Sequence, residues 1–120
     1  MTPPDCRIYI DTDLSDSELL VIIREAIFLP GNPADVRAEL FKNEDYHTER
    51  RLQFPDGFVC FRFYADFFIQ GDDPLRASLI GGLLEALWAQ GISAVAGCGF
   101  EHLLPEHGGY RSRNIPWARA

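Results

Sequence analysis

Phe58-Val-Cys-Phe-Arg-Phe-Tyr-Ala-Asp-Phe-Phe-Ile69 is the strongest strand signal in the chain. Val59, Phe61, Phe63, Ala65, Phe67 and Ile69 fall on one side, and Cys60, Arg62, Tyr64, Asp66 and Phe68 on the other. That period of two is what a strand with one face on a core requires. So long an apolar strand belongs at the centre of a sheet, and the flanking segments must supply its neighbours.

Toward the N-terminus, Asp35-Val-Arg-Ala-Glu-Leu-Phe41 alternates again, with Val36, Ala38 and Leu40 opposite Arg37, Glu39 and Phe41. The polar, mixed-charge connection from Lys42 to Gly57 is longer than a hairpin turn and reads as a protruding hairpin or loop. Further back, Arg7-Ile-Tyr-Ile-Asp11 is a half-buried strand with Ile8 and Ile10 on its core side. Between these two strands, Ser15 and Glu18 have capping-box spacing, and Leu14 and Leu19 occupy the hydrophobic-staple positions. Leu19, Leu20, Ile22, Ile23, Ala26 and Ile27 then form the apolar stripe of a helix that Pro30-Gly31 should stop.

On the C-terminal side, Asp73-Pro74 suits an N-cap and first helical position, and the apolar pattern from Leu75 to Trp88 runs to Gly91. Gly81-Gly82 inside this second helix should cost roughly 1 kcal/mol per glycine relative to alanine, which is explicable if the helix lies close on the sheet. Ile92 to Cys98 is a last small, apolar strand. The order strand, helix, strand, strand, helix, strand predicts an α+β fold of the ferredoxin-like, split βαβ kind. Its four-stranded antiparallel sheet should carry both helices on one face and leave the other open. The expected organisation is one domain over 1–120 with an irregular tail from about residue 105.

Composition narrows the function classes. The chain has 120 residues, 47% of them apolar, enough for a core of its own. Its 18 acids against 11 bases give a net charge of −7, which repels a phosphate backbone and directs attention to basic proteins or small molecules rather than nucleic acid. There is no basic start followed by an apolar run and no stretch of about 18 apolar residues, so a cytoplasmic, non-membrane protein is expected. Cys6, Cys60 and Cys98 are odd in number and widely spaced, the pattern of reduced thiols rather than a disulfide framework or a zinc knuckle.

The densest chemistry lies in Cys98-Gly-Phe-Glu-His-Leu-Leu-Pro-Glu-His-Gly-Gly-Tyr110. Glu101, His102, Glu106 and His107 are the candidate acid/base or metal groups of a small enzyme or sensor. His102 and His107, five residues apart, would be turned by about 500° on a helix, and Pro105 breaks that helix. The stretch therefore reads as a strand end and a turn, with no metal and no cofactor expected. Cys98 in an apolar strand should be an inert thiol. No nucleophile elbow, Walker loop or dinucleotide fingerprint occurs, so no catalytic residue is assigned. Asp11, Asp13, Asp16 and Glu18 answer the dipole of the first helix.

The open sheet face carries the candidate binding residues: Tyr9, Arg37, Phe41, Arg62, Tyr64, Asp66 and Phe68, with Arg7, Asp11 and Glu39 among them. Aromatic rings among charges suit protein recognition. Phe58 to Ala65 does not match the RNA-recognition consensus of this fold. The expected partner is a protein, with basic ones favoured by the net charge, or a second copy. Arg111, Arg113 and Arg119 around Trp117 form either a docking tail or one packed back on its own domain.

Leu83-Leu-Glu-Ala-Leu-Trp-Ala-Gln-Gly-Ile-Ser-Ala-Val-Ala-Gly-Cys98, with Phe100-Glu101, Leu104-Pro105 and Gly108-Gly-Tyr110, is similar to small bacterial proteins of uncharacterised function, a resemblance that covers about the last third of the chain. It implies no catalytic residues. In size and acidity the chain is also similar in character to immunity proteins that neutralise toxins, which implies a non-catalytic protein-binding role. The alternative is a small-molecule-binding regulatory domain or a small enzyme with an acid/His site near 101–107.

Overall fold

The computed structural model describes residues 2–28 and 35–118. It contains β1 (Cys6–Asp11), α1 (Asp16–Ile27), β2 (Val36–Lys42), β3 (Phe63–Ile69), α2 (Asp73–Ala89) and β4 (Ser93–Cys98). The sheet order is β2-β3-β1-β4 and every pairing is antiparallel. This is the α+β arrangement expected from the sequence. The stop expected at Pro30-Gly31 lies outside the described residues.

Alternation places both helices on one face. Ile8 and Ile10 of β1, Phe63, Ala65, Phe67 and Ile69 of β3, and Ala94 and Ala96 of β4 share one buried cluster with Leu19, Ile23 and Ile27 of α1 and Ile80, Leu83, Leu84 and Leu87 of α2. Each Leu, Ile or Phe side chain among them contributes about 1.5–3 kcal/mol on burial. The capping box at α1 is present: Glu18 N donates to Ser15 Oγ at 3.2 Å and Ser15 N donates to Glu18 Oε1 at 3.4 Å. At α2 the cap is one residue earlier than the sequence suggested. Asp72 Oδ1 accepts from Leu75 N at 3.0 Å, and Asp73 and Pro74 are already helical.

The long strand read over 58–69 begins only at Phe63, because Gly57–Cys60 is a 3-10 turn. The cause is Asn43. Its buried side-chain amide donates to the carbonyls of both Val59, at 2.9 Å, and Phe61, at 2.8 Å, while its own N–H donates to Arg62 O. Two carbonyls separated by two residues thus turn toward one amide group, which an extended strand does not permit. Val59 is 44% exposed and not in the core, whereas Phe61 is buried against Trp117 with ring centroids 5.5 Å apart.

Trp88 of α2 and the C-terminal segment together seal the β4 edge of the sheet. Trp88 Nε1 donates to Ala94 O at 3.0 Å, and Cys98 N donates to Glu101 Oε2 at 2.9 Å. Gly109, at φ +91°, lies so near this edge that a Cβ would stand 2.8 Å from Ala94 O. Gly81 of α2 is small for the same segment and not for the sheet, since a Cβ there would meet Pro105 Cδ at 3.1 Å. Gly82 is exposed and faces open space.

These two environments give opposite expectations. Gly109→Ala must move the β4 edge and adopt a disfavoured φ, and should cost about 2 kcal/mol or more. Gly82→Ala, in an unobstructed helix interior, should stabilise by about 0.5–1 kcal/mol. Urea denaturation of both variants checks the pair.

Candidate recognition surface and cleft

The sheet face away from the helices is ordered in cross-strand rows. Phe41, Tyr64, Tyr9 and Val95 are opposed in one row, and Glu39, Asp66, Arg7 and Gly97 in the next. Phe41 stacks on Tyr64 at 5.1 Å, and Tyr64 reaches Tyr9 at 6.3 Å. Arg7 sits over the Tyr64 ring at 4.2 Å, and Arg37 over Phe68 at 4.2 Å. The aromatic rings anticipated as one patch therefore form a row of three, with Phe41 stacked on Tyr64 and Tyr9 tilted against it, and Phe68 is set apart beneath its own arginine.

Asp66 is 8% exposed and is committed within the fold. Arg7 Nε and Nη2 donate to its two carboxylate oxygens at 2.7 and 3.0 Å. This bidentate bond raises the Arg7 guanidinium above its ordinary value. Arg62 leaves the face altogether. It precedes β3, lies over the Tyr46 ring at 5.0 Å and donates weakly to Tyr46 Oη at 3.4 Å. That hydrogen bond, with the charges of Asp13 and Asp11, raises its pKa.

The face is also only half open. Phe58 meets Tyr9 edge-on at 5.3 Å, Tyr110 meets Phe58 at 5.5 Å, and Trp117 packs on Phe54 at 5.1 Å as well as on Phe61. The C-terminal tail is therefore packed back on its own domain as far as residue 118, while Arg119 lies outside the described residues. Arg111 and Arg113 are exposed, the latter over the Phe54 ring at 4.1 Å. The exposed half is β2 with the neighbouring side of β3, where Phe41, Arg37 and Glu39 face solvent.

A cleft of about 670 Å³ opens at the end of the sheet where β1 finishes and β4 begins. Asp11, Asp13 and Glu18 line it from β1 and the start of α1, Tyr46, Arg51 and Arg62 from the β2–β3 connection, Ser93 from β4 and Trp117 from the tail. Arg51 Nη1 bonds Asp11 Oδ2 at 2.5 Å, and Arg62 N donates to Asp11 Oδ1 at 3.2 Å. The Asp11 carboxylate thus ties the long connection to the sheet. Asp13 and Glu18 are exposed at the mouth, an environment suited to a cation. The sequence showed the acids but assigned them to the helix dipole, because Arg51 and Arg62 arrive from 40 and 51 residues away.

The residues anticipated as an acid/base group are dispersed along the β4 edge. Glu101 caps the Cys98 amide, His102 is exposed on a 3-10 turn, Glu106 accepts from Ser112 Oγ at 3.2 Å, and His107 is exposed. Glu106 and His107 both have φ +51° and lead into Gly108 and Gly109, so four successive left-handed residues lay the chain along β4. Among the described residues, no group of three or more His, Cys, Asp or Glu is placed to hold a metal ion, and no helix is long and apolar enough to cross a membrane.

The fold and surface define an α+β domain with a sheet sealed on one edge, half roofed on one face, and open along β2. No family model matches the chain, and no curated protein or solved structure matches it significantly.

Removing Arg7 leaves Asp66 as a buried, unpaired carboxylate. Arg7→Ala should destabilise by about 2 kcal/mol, below the range for a fully buried pair because Arg7 itself is partly exposed. A double-mutant cycle with Asp66→Ala in chemical denaturation isolates the coupling.

Proposed function

We propose that this domain is a non-catalytic protein-binding module, in its most specific form an inhibitor of the immunity type that neutralises a basic partner. The observation that carries this reading is the exposed half of the outward face. Phe41 is 38% exposed and stacked on Tyr64, beside an Arg37–Phe68 pair, on a strand whose outer edge is unpaired among the described residues. Aromatic rings preorganised in this way supply affinity at low entropic cost. A free strand edge adds main-chain hydrogen bonds to an incoming strand. The net charge of −7 and the acids at the cleft mouth favour a basic partner and speed its approach.

Replacing Phe41 and Phe68 together by serine should weaken binding of a partner captured from the native host by about 100-fold, near 3 kcal/mol, while changing thermal stability little. Calorimetric titration measures the first and a melting curve the second. Undiminished binding by the double variant would remove this face from the function.

A second copy is the other partner that the geometry favours, for a reason specific to β2. Gln70 N donates to Asp35 O and Asn43 N donates to Arg62 O. With the β2–β3 register, these bonds assign the odd residues of β2 to β3 and turn the backbone groups of Val36, Ala38, Leu40 and Lys42 outward. A two-fold axis at Ala38 then pairs Val36 with Leu40 of the other copy and sets Arg37 directly opposite Glu39. Shifting the register by one allowed step in either direction opposes Arg37 to Arg37 or Glu39 to Glu39, which is repulsive. In sedimentation equilibrium, Arg37→Glu and Glu39→Arg should each be monomeric, and their mixture should restore a dimer. Wild-type protein that is monomeric at high concentration would eliminate self-pairing and leave the hetero-partner reading standing.

A further inference from the structure

Cys6 and Cys98 are direct cross-strand partners in the β1–β4 pairing, both on the helix-facing side of the sheet. The hydrogen bonds around β4 fix which kind of pair they form. The N–H of Cys98 is donated outward to Glu101, and the carbonyl of Ala94, four residues earlier on the same side, accepts from Trp88. Even-numbered residues of β4 therefore turn their backbone groups away from β1, and Cys6 and Cys98 occupy a non-hydrogen-bonded pair. In such pairs the Cα atoms stand about 4.5 Å apart and the side chains are closest. That separation lies within the range of about 4.4–6.8 Å that a disulfide spans.

The two thiols differ in their surroundings. Cys6 is 1% exposed, whereas Cys98, the last residue of β4, is half-buried. The Cys6 thiol hydrogen-bonds the Cys98 sulfur, and with a backbone bond at Phe100 this lowers the Cys98 pKa in spite of its partial burial and the nearby Glu101 and Asp73 charges. The same bond, with burial, raises Cys6. The full burial expected for Cys98 from its apolar strand is not found, and the more exposed of the two thiols is also the one whose pKa is lowered. Cys60, the remaining thiol, is buried in the 3-10 turn before β3 and has no cross-strand thiol.

We propose that Cys6 and Cys98 are a hydroperoxide-oxidisable dithiol that closes to an intramolecular disulfide between β1 and β4. The Cys98 thiolate attacks the outer oxygen of the hydroperoxide. An S–O bond forms, the O–O bond breaks, and the alkoxide leaves with a proton from solvent as an alcohol, or as water when the oxidant is hydrogen peroxide. Cys6 then displaces the hydroxyl of the Cys98 sulfenic acid. The S–S bond forms, the S–O bond breaks, and the Cys6 proton departs with the hydroxide as water. Two thiols lose two electrons in total and the peroxide bond gains them. The disulfide staples the edge strand, and with it the segment from Glu101 to Gly109 laid along that edge, to the central strand. This inference is independent of the binding surface on β2.

The test uses the full reduced chain treated with a small excess of hydrogen peroxide. Intact mass should fall by two hydrogen atoms, and peptide mapping without reductant should recover Cys6 linked to Cys98. With the sulfenic-acid trap dimedone present, Cys6→Ala should accumulate a Cys98 adduct several-fold above wild type, Cys98→Ser should give none, and Cys60→Ser should behave as wild type. The melting temperature of the oxidised protein should rise. A mapped disulfide that includes Cys60, or oxidation of Cys98 in the wild type to sulfinic acid with no link to Cys6, would overturn the proposal. So would no mass change under conditions that oxidise a free model thiol. The wild-type mapping decides the matter even if the Cys6 variant folds poorly.

Discussion

The pairing of β1 with two strands that follow it much later in the chain is the constraint from which the remaining structure follows. β1 lies between β3 and β4, so its inward side chains, Cys6, Ile8 and Ile10, meet the core only when both neighbours are in register. A slip of one residue would exchange those positions with Arg7, Tyr9 and Asp11 and place charges beneath the helices. Two ion pairs on the opposite face oppose that slip. Arg7 bonds Asp66 directly across the β1–β3 pair, and Asp11 at the end of β1 is held by Arg51 and the amide of Arg62. The hydrophobic face supplies the energy of the sheet, and the polar face supplies its uniqueness.

The two edges are treated differently. An exposed strand edge presents unpaired amide and carbonyl groups to any other chain. At β4, Trp88, Glu101 and the left-handed run from Glu106 to Gly109 cover or cap that edge. The cost is four left-handed residues, two of them not glycine, and strain of this kind persists only where surrounding contacts fix it. At β2, among the described residues, no backbone group pairs with the outer edge. One edge closed at an energetic cost, beside another left open with aromatic and charged side chains, is an asymmetry that general solubility does not explain.

Much of this fold was legible in the sequence because its signals are local. The period of two in Arg7–Asp11 and 35–41 and the capping box at Ser15 depend on residues a few positions apart, and each element formed near where it was read. The misreading at 58–62 had a long-range cause. Alternation of Val59 and Phe61 cannot show that Asn43 binds both of their carbonyls. The candidate surface was partly legible: the rows of Tyr9, Tyr64 and Phe41 follow from alternation and strand order. The roof over Tyr9 and the cleft did not follow, because Phe58, Trp117, Arg51 and Arg62 reach them through irregular segments whose paths no periodicity encodes.

That same irregular layer forms both the cleft and the roof over the β1 side of the sheet. The connection from Asn43 to Arg62 leaves the end of β2, contributes Tyr46, Arg51 and Arg62 to the cleft, and returns through Phe58 over the β1 side of the sheet. Trp117 packs on it from the tail and also lines the cleft. Covering the β1 half of the face in this way leaves the aromatic row exposed only beside β2, whereas the cleft opens where β1 ends and β4 begins. The cleft and the roof over Tyr9 are therefore both built by a single excursion, which the Asp11–Arg51 bond anchors. For the basic partner proposed above, the exposed acids Asp13 and Glu18 would govern approach and the aromatic row at Phe41 would govern residence.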